Sequence, residues 1–184
     1  MKKILLFGAG LSASTLIKYL LERSIAESWH LDVVDQDLDL IQAKIGPHPN
    51  ATAHSFNALD SQQRLPYIAQ ADLDISMLPA VYHVEVAKDC IALKKHLITP
   101  SYISADMRAL HEDAKAAGIV IMNEIGVDPG IDHMSAMRIL DHIKDAGGKL
   151  ESFKSYCGGL IAPSSDNNPW RYKFTWNPRN VVLA

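Results

Sequence analysis

The sequence predicts an α/β protein built on a doubly wound parallel sheet, and three observations carry that prediction. Short aliphatic runs recur along the chain: ILLF (4–7), LDVVD (31–35), DIS (74–76), LIT (97–99) and IVIM (119–122), with a weaker TAHSF (52–56). Amphipathic segments with the 3.6-residue spacing of helices separate them. The strands are close to continuously apolar rather than alternating, as expected where helices bury both faces of a sheet.

Each element has its local reason. ILLF opens the sheet. The start MKKILLFGAG is basic and then apolar, as a leader peptide would be. However, the apolar run is too short and enters a glycine turn instead of a cleavage site. SASTLIKYLLERS reads as the first helix. QDLDLIQAKI reads as the second, with Asp37 as its N-cap. VYHVEVAKDCIALKK follows Pro79, a residue suited to a helix start. SADMRALHEDAKAAG runs from the cap Ser104 to the stop Gly118. Beyond residue 123 the pattern changes. NEIGVDPGIDH is turn-rich, a helix is predicted from Asp132 to Ala146 with a stop at Gly147-Gly148, and KLESFKSYCGG reads as a strand leaving the parallel sheet. The domain boundary is expected near 125–130, giving a first domain over 1–127 and a second, incomplete one over 128–184. The second piece is too small to bury a core alone.

Composition excludes several classes. The 184 residues are 48% hydrophobic with a net charge of -3, so no electrostatic footprint for nucleic acid is present. No apolar run approaches the ~20 residues of a membrane span. Cys90 and Cys157 are the only cysteines, too few for a disulfide framework or a four-cysteine zinc site. No histidine–acid spacing suits a metal, so none is predicted. A cytoplasmic location is expected.

GAGLSA (8–13) directly follows the first strand and opens a helix. This is the dinucleotide fingerprint of Rossmann-type sheets, with Ala at its third position. Gly8 permits the tight turn, and Gly10 lets backbone approach a pyrophosphate resting on the helix N-terminus beside Leu11 and Ser12. Ala13 allows close helix–strand packing. Asp35 ends the second strand about 20 residues on, at the spacing of the acid that accepts from the adenosine ribose. A carboxylate there repels a 2′-phosphate, which favours NAD over NADP. SMLPAVYH (76–83) follows another strand end, where its backbone could line the cofactor or simply start the next helix.

HLITPSYIS (96–104), MNEIGVDPGIDH (122–133) and SYCGGLIAPSSDNNPWRYKFTWNPRNVVLA (155–184) closely resemble the saccharopine dehydrogenase/reductase family, best its glutamate-forming saccharopine reductase branch. The resemblance covers essentially the whole chain. It implies an NAD(P)-binding domain followed by the truncated start of an α+β substrate domain. It also implies an oxidoreductase of lysine metabolism. Hydride passes between nicotinamide and the C–N bond of saccharopine, and in the reducing direction aminoadipate semialdehyde condenses with glutamate and the imine is reduced. Cofactor contacts are implied at Gly8, Gly10, Leu11, Asp35, Ser55, Phe56, Met77 and Thr99. Substrate contacts are implied at Ser101, Tyr102, Asp128 and the stretch Cys157, Gly158, Gly159 and Leu160. Asp128 and Tyr102 are the proton-relay candidates, with Cys157 lining the site. Arg171, Lys173 and Arg179 offer cations for substrate carboxylates or are surface charges. His83 and His133 read equally as acid–base groups or as helix-start residues.

Two features depart from the family pattern. Fungal members of this branch are NADP-dependent and carry a basic residue after the second strand, where this chain has Asp35. The chain also ends at VVLA, inside the implied substrate domain. A fragment that binds cofactor but lacks a full active site is therefore expected, and its exposed apolar surface would favour a homodimer. The other readings are a related lysine or carboxynorspermidine dehydrogenase and a non-catalytic dinucleotide-binding module. The partner expected in each enzymatic case is a small amino-acid substrate.

Overall fold

The computed structural model describes residues 1–156 and 161–173. Six strands form one all-parallel sheet: β1 Lys2–Phe7, β2 Trp29–Asp35, β3 Ala51–Ser55, β4 Leu73–Ser76, β5 His96–Ile98 and β6 Ile121–Met122. Their order is β3-β2-β1-β4-β5-β6. The winding reverses between β1 and β4, the crevice where doubly wound sheets bind ligands. Each strand predicted for the parallel sheet is present, although β6 keeps only the last two residues of IVIM.

The continuously apolar β1 serves two cores. Ile4 and Leu6 join Leu31, Val33, Ile17 and Ile41 on one face. Leu5 and Phe7 join Val34, Ile68, Val86 and Leu97 on the other. The first face is covered by α1 Ser14–Ser24 and α2 Leu38–Ile45. The second is covered by α3 Ser61–Gln70, α4 His83–Leu93 and the short α5 Ala105–Ala109, with α6 His111–Ala117 packed against α4. Strand residues alternate between faces, so a run of four apolar residues is what two cores require.

The predicted caps hold. The Asp37 carboxylate accepts from the Leu40 N–H at 3.0 Å, and the Ser104 hydroxyl accepts from the Met107 N–H at 3.1 Å. Gly118 closes α6 in the left-handed conformation. Three local readings change. The single helix expected over 104–118 is two, broken at Leu110. α3 was not among the predicted elements: Pro66 sits inside it and weakens the helical signal, but Asp60 caps its first turn through the Gln62 N–H and Ile68 buries completely. The strand predicted from KLESFKSYCGG is not formed over its described residues, 149–156, which carry no regular structure. Those residues pair with no neighbouring strand among the described residues, and an unpaired strand leaves its backbone groups to water.

By its contacts the chain divides into two compact units, Met1–Met134 and Ser135–Ala184. A helix, α7 Ile131–Asp145, follows the turn-rich segment and ends at Gly147, as expected from the glycine pair. Asp128 is joined to Pro129 by a cis peptide bond. No helix among the described residues is long and apolar enough to cross a membrane.

Candidate functional site

The glycine turn leaves β1 at its carboxyl end. The Gly8 N–H donates to the Val34 carbonyl at 2.8 Å. With φ at +97°, Gly8 occupies a region that suits glycine, and a Cβ there would lie 3.0 Å from the Met77 carbonyl oxygen. Gly10 is different. Its backbone is extended, and an added Cβ would meet nothing within 4 Å. The turn is therefore tight on its inner side and open on its outer side. A single 3-10 turn, Leu11–Ala13, leads into α1. Leu11 and Ser12 are exposed, while Ala13 is buried against the sheet. Free N–H groups at such a helix entrance suit an anion.

Asp35 is bound into this turn. One carboxylate oxygen accepts from the Ala9 N–H at 2.7 Å. The other accepts from the N–H groups of Gln36 at 2.7 Å and Asp37 at 3.3 Å. Three donors leave the group one open lone-pair direction and its negative charge. A cleft of about 290 Å³ lies beside it, lined by Gly8, Asp35, Phe56, Leu59, Leu78 and Tyr82 among others. Phe56 forms one wall and stacks on Tyr67 with ring centroids 4.7 Å apart. The Ser55 hydroxyl donates to the Gln36 carbonyl at 2.9 Å, which fixes the loop after β2. Met77, the residue after β4, supports Gly8, its N–H donating to the Phe7 carbonyl at 2.8 Å. A larger cavity of about 810 Å³, between α5, α6 and β6, contains none of the glycine-turn residues.

The carboxyl ends of β4 and β5 carry a second group of polar side chains. Ser76 and His83 are almost fully buried. His83 Nδ1 lies 2.9 Å from the Ser76 hydroxyl, and its Nε2 lies 2.9 Å from the Ser101 hydroxyl. Burial pushes the His83 pKa down to about 4, so the ring is neutral at pH 7 and donates from one nitrogen only. His83 is indeed a helix-start residue, the first of α4, and is also the centre of this relay. Thr99 is buried and its hydroxyl donates to Asn123 at 3.3 Å. One residue beyond Ser101, the Tyr102 hydroxyl donates to the Asp128 carboxylate at 3.0 Å. That bond raises the Tyr102 pKa, with smaller contributions from burial and the nearby acids. The two proton-relay candidates of the sequence are thus one hydrogen-bonded pair on the surface of the first unit. Gly130, at φ +147°, lets the loop fold onto Gly126, whose backbone a Cβ would overlap. Donor atoms of Asp128, Asp132 and His133 lie within 4.8 Å of one another in this exposed loop.

Cys157, Gly158, Gly159, Leu160 and Arg179 lie outside the described residues. Arg171 pairs with Asp166 at 3.3 Å, as a surface charge does. Three residues of interest carry no sequence signal of their own. Ser76 sits at a strand end like any small residue. Asp74 is buried inside β4 with neither oxygen in a hydrogen bond. Lys44, on α2, reaches back to the glycine turn.

Residues 4–122 match the family model described as the saccharopine dehydrogenase NADP binding domain, and residues 126–184 match the saccharopine dehydrogenase C-terminal domain. The chain is 42% identical over its whole length to "Saccharopine dehydrogenase [NADP(+), L-glutamate-forming]" of Schizosaccharomyces pombe, and covers 40% of that protein. It is 52% identical, over 68% of its own length and 12% of the relative's, to "Alpha-aminoadipic semialdehyde synthase" of Arabidopsis thaliana. The structure of apo saccharopine dehydrogenase (L-Glu forming) from Saccharomyces cerevisiae superposes with a TM-score of 0.84 at 40% identity, over all of this chain and 40% of that one.

Proposed function

Because the chain belongs to the saccharopine dehydrogenase family, we propose that it supplies the cofactor-binding part of an oxidoreductase acting on the C–N bond of saccharopine. The observation that carries this reading is the open glycine turn tied to Asp35 through the 2.7 Å bond at Ala9. It supplies an anion cradle and a ribose acceptor side by side. The fit to a nicotinamide dinucleotide is good: the outer side of Gly10 is vacant space that a Cβ would enter, and the adjoining cleft of about 290 Å³ has an aromatic wall. When bound, the dinucleotide takes up or delivers the hydride exchanged with the substrate carbon. The protein's part is position and protons. Gly8 and Gly10 admit the pyrophosphate, and the remaining lone pair of Asp35 accepts a ribose hydroxyl. Tyr102 holds a proton at its phenolic oxygen against Asp128, ready to pass it to a substrate amine or a water.

The finer choice of cofactor has opposed supports. The family model and the fungal relatives are described with NADP. The end of β2 carries Asp35, Gln36 and Asp37, with no cation among them. We favour NAD(H) on that local charge, since a 2′-phosphate dianion would sit against two carboxylates. Fluorescence titration with NADH and NADPH separates the two. Tighter NADH binding is expected, and tighter NADPH binding would discard the charge argument. Failure to bind either would overturn the functional reading itself.

A further inference from the structure

The geometry points to Lys44 as the residue that sets the glycine turn for anion binding, an inference that rests on the dinucleotide reading above. Lys44 stands on the last turn of α2, far from the fingerprint in sequence. Its ammonium donates to the Ala9 carbonyl, to the Gly10 carbonyl at 2.6 Å and to the Ser14 hydroxyl at 2.8 Å. All three donors are used, and all three acceptors are uncharged. The charge is therefore not cancelled by any carboxylate within ion-pair distance among the described residues.

The consequence follows from peptide geometry. The Ala9–Gly10 and Gly10–Leu11 peptides are trans, so within each plane the N–H points opposite to the C=O. Lys44 grips both carbonyls from one side. The N–H groups of Gly10 and Leu11 are thereby turned to the other side, and no acceptor for either is recorded among the described residues. A cation on a carbonyl oxygen also withdraws density through the peptide and strengthens the N–H as a donor. Asp35 fixes the preceding N–H, that of Ala9. Asp35 and Lys44 thus hold successive peptides of one turn, the first by its N–H and the next two by their carbonyls. Lys44 is a positioning residue for the pyrophosphate: it acts through two backbone donors, and its charge offsets part of the phosphate charge.

The test uses the chain itself with Lys44→Met, which keeps the aliphatic stem and removes the charge, and with Lys44→Arg. Probes are NADH, NADPH, ADP and adenosine. Lys44→Met is expected to weaken NADH, NADPH and ADP together, each roughly ten-fold, while adenosine, which has no phosphate, is unchanged. Lys44→Arg restores most of the loss, and added salt narrows the gap. Equal binding of the dinucleotides by Lys44→Met and the unaltered chain overturns the inference. So does a loss confined to NADPH, which would place Lys44 on the 2′-phosphate, and so does an equal loss for adenosine, which would mark collapse of the turn. Failure of the unaltered chain to bind either dinucleotide instead overturns the parent reading, and this inference with it.

Discussion

The two sides of the crevice between β1 and β4 use polar groups in different ways. On the β2 side, Asp35, Asp37 and Lys44 remain near water: Asp35 and Lys44 bind backbone groups of the glycine turn, Lys44 also binds the Ser14 hydroxyl of α1, and Asp37 caps α2 at the Leu40 N–H. On the β4 side, Asp74, Ser76, His83 and Cys90 lie inside the protein. Burial pushes the Asp74 pKa up to about 7, more than the facing Lys95 charge and Cys90 thiol lower it. The same burial, aided by Asp74, pushes the Cys90 thiol far above its ordinary range. One side thus keeps charges and uses them to shape backbone. The other disfavours charge by burial and links Ser76, His83 and Ser101 by hydrogen bonds. On the reading proposed above, an anionic cofactor would meet the first side, while the second holds His83 between the hydroxyls of Ser76 and Ser101.

The sharpest way to break this comparison is pH. For Asp74, whose pKa is raised in the folded state, stability is full below about 3.8 and is lost as pH rises through about 7. The effect is roughly 4 kcal/mol at most. For His83, whose pKa is lowered to about 4, stability is full above about 6.5 and is lost as pH falls through about 4. That effect is roughly 3 kcal/mol. Between about 4 and 6.5 the unfolded chain carries the proton on His83 and the folded chain carries it on Asp74, so the two slopes cancel. Asp74→Asn exposes the histidine slope: relative to the unaltered chain, stability should fall as the solution is acidified over that range. His83→Gln exposes the opposite slope. Urea unfolding at a series of pH values measures both, and parallel profiles for all three chains would mean that neither group is suppressed by burial.

Backbone strain comes next in size. Gly8→Ala places a Cβ against the Met77 carbonyl at a φ of +97°. A loss of about 1–3 kcal/mol is expected, together with loss of NADH binding. A thermal melt that matches the unaltered chain would show that the turn relaxes freely. The smallest effect sharpens the charged side. Asp35→Asn removes the negative charge while keeping an acceptor oxygen. The ratio of NADPH to NADH affinity should rise roughly ten-fold, as read by parallel titrations, and an unchanged ratio would put the discrimination elsewhere.

Much of the sheet was legible because its strands serve two cores. ILLF and the LDVVD core of Leu31, Val33 and Val34 are buried on both faces, and that pattern admits few other folds. The caps at Asp37 and Ser104 were legible for a similar reason: a short polar side chain satisfies N–H groups two or three residues away. α3 was obscured because Pro66 lowers the local propensity, whereas burial of Ile68 and Arg64, and the 2.6 Å pair of Arg64 with Asp89, are tertiary. Over its described residues, the strand expected from KLESFKSYCGG is absent for the converse reason. Its local pattern was adequate, but a strand exists only with a partner.

The sequence by itself determined the parallel sheet, the glycine turn at its first strand end, and the acid at its second. These depend on residues close in the chain or on a fixed spacing between neighbouring elements. The family resemblance marked Tyr102 and Asp128 individually. Only the tertiary structure joined them at 3.0 Å, threaded His83 between Ser76 and Ser101, and brought Lys44 to the carbonyls of Ala9 and Gly10. Apart from the Ser76–His83 bond, which spans seven residues, those contacts link elements that lie far apart in the chain. They exist because the packing of α1, α2 and α4 on the sheet fixes where each side chain ends, and no local pattern encodes that distance.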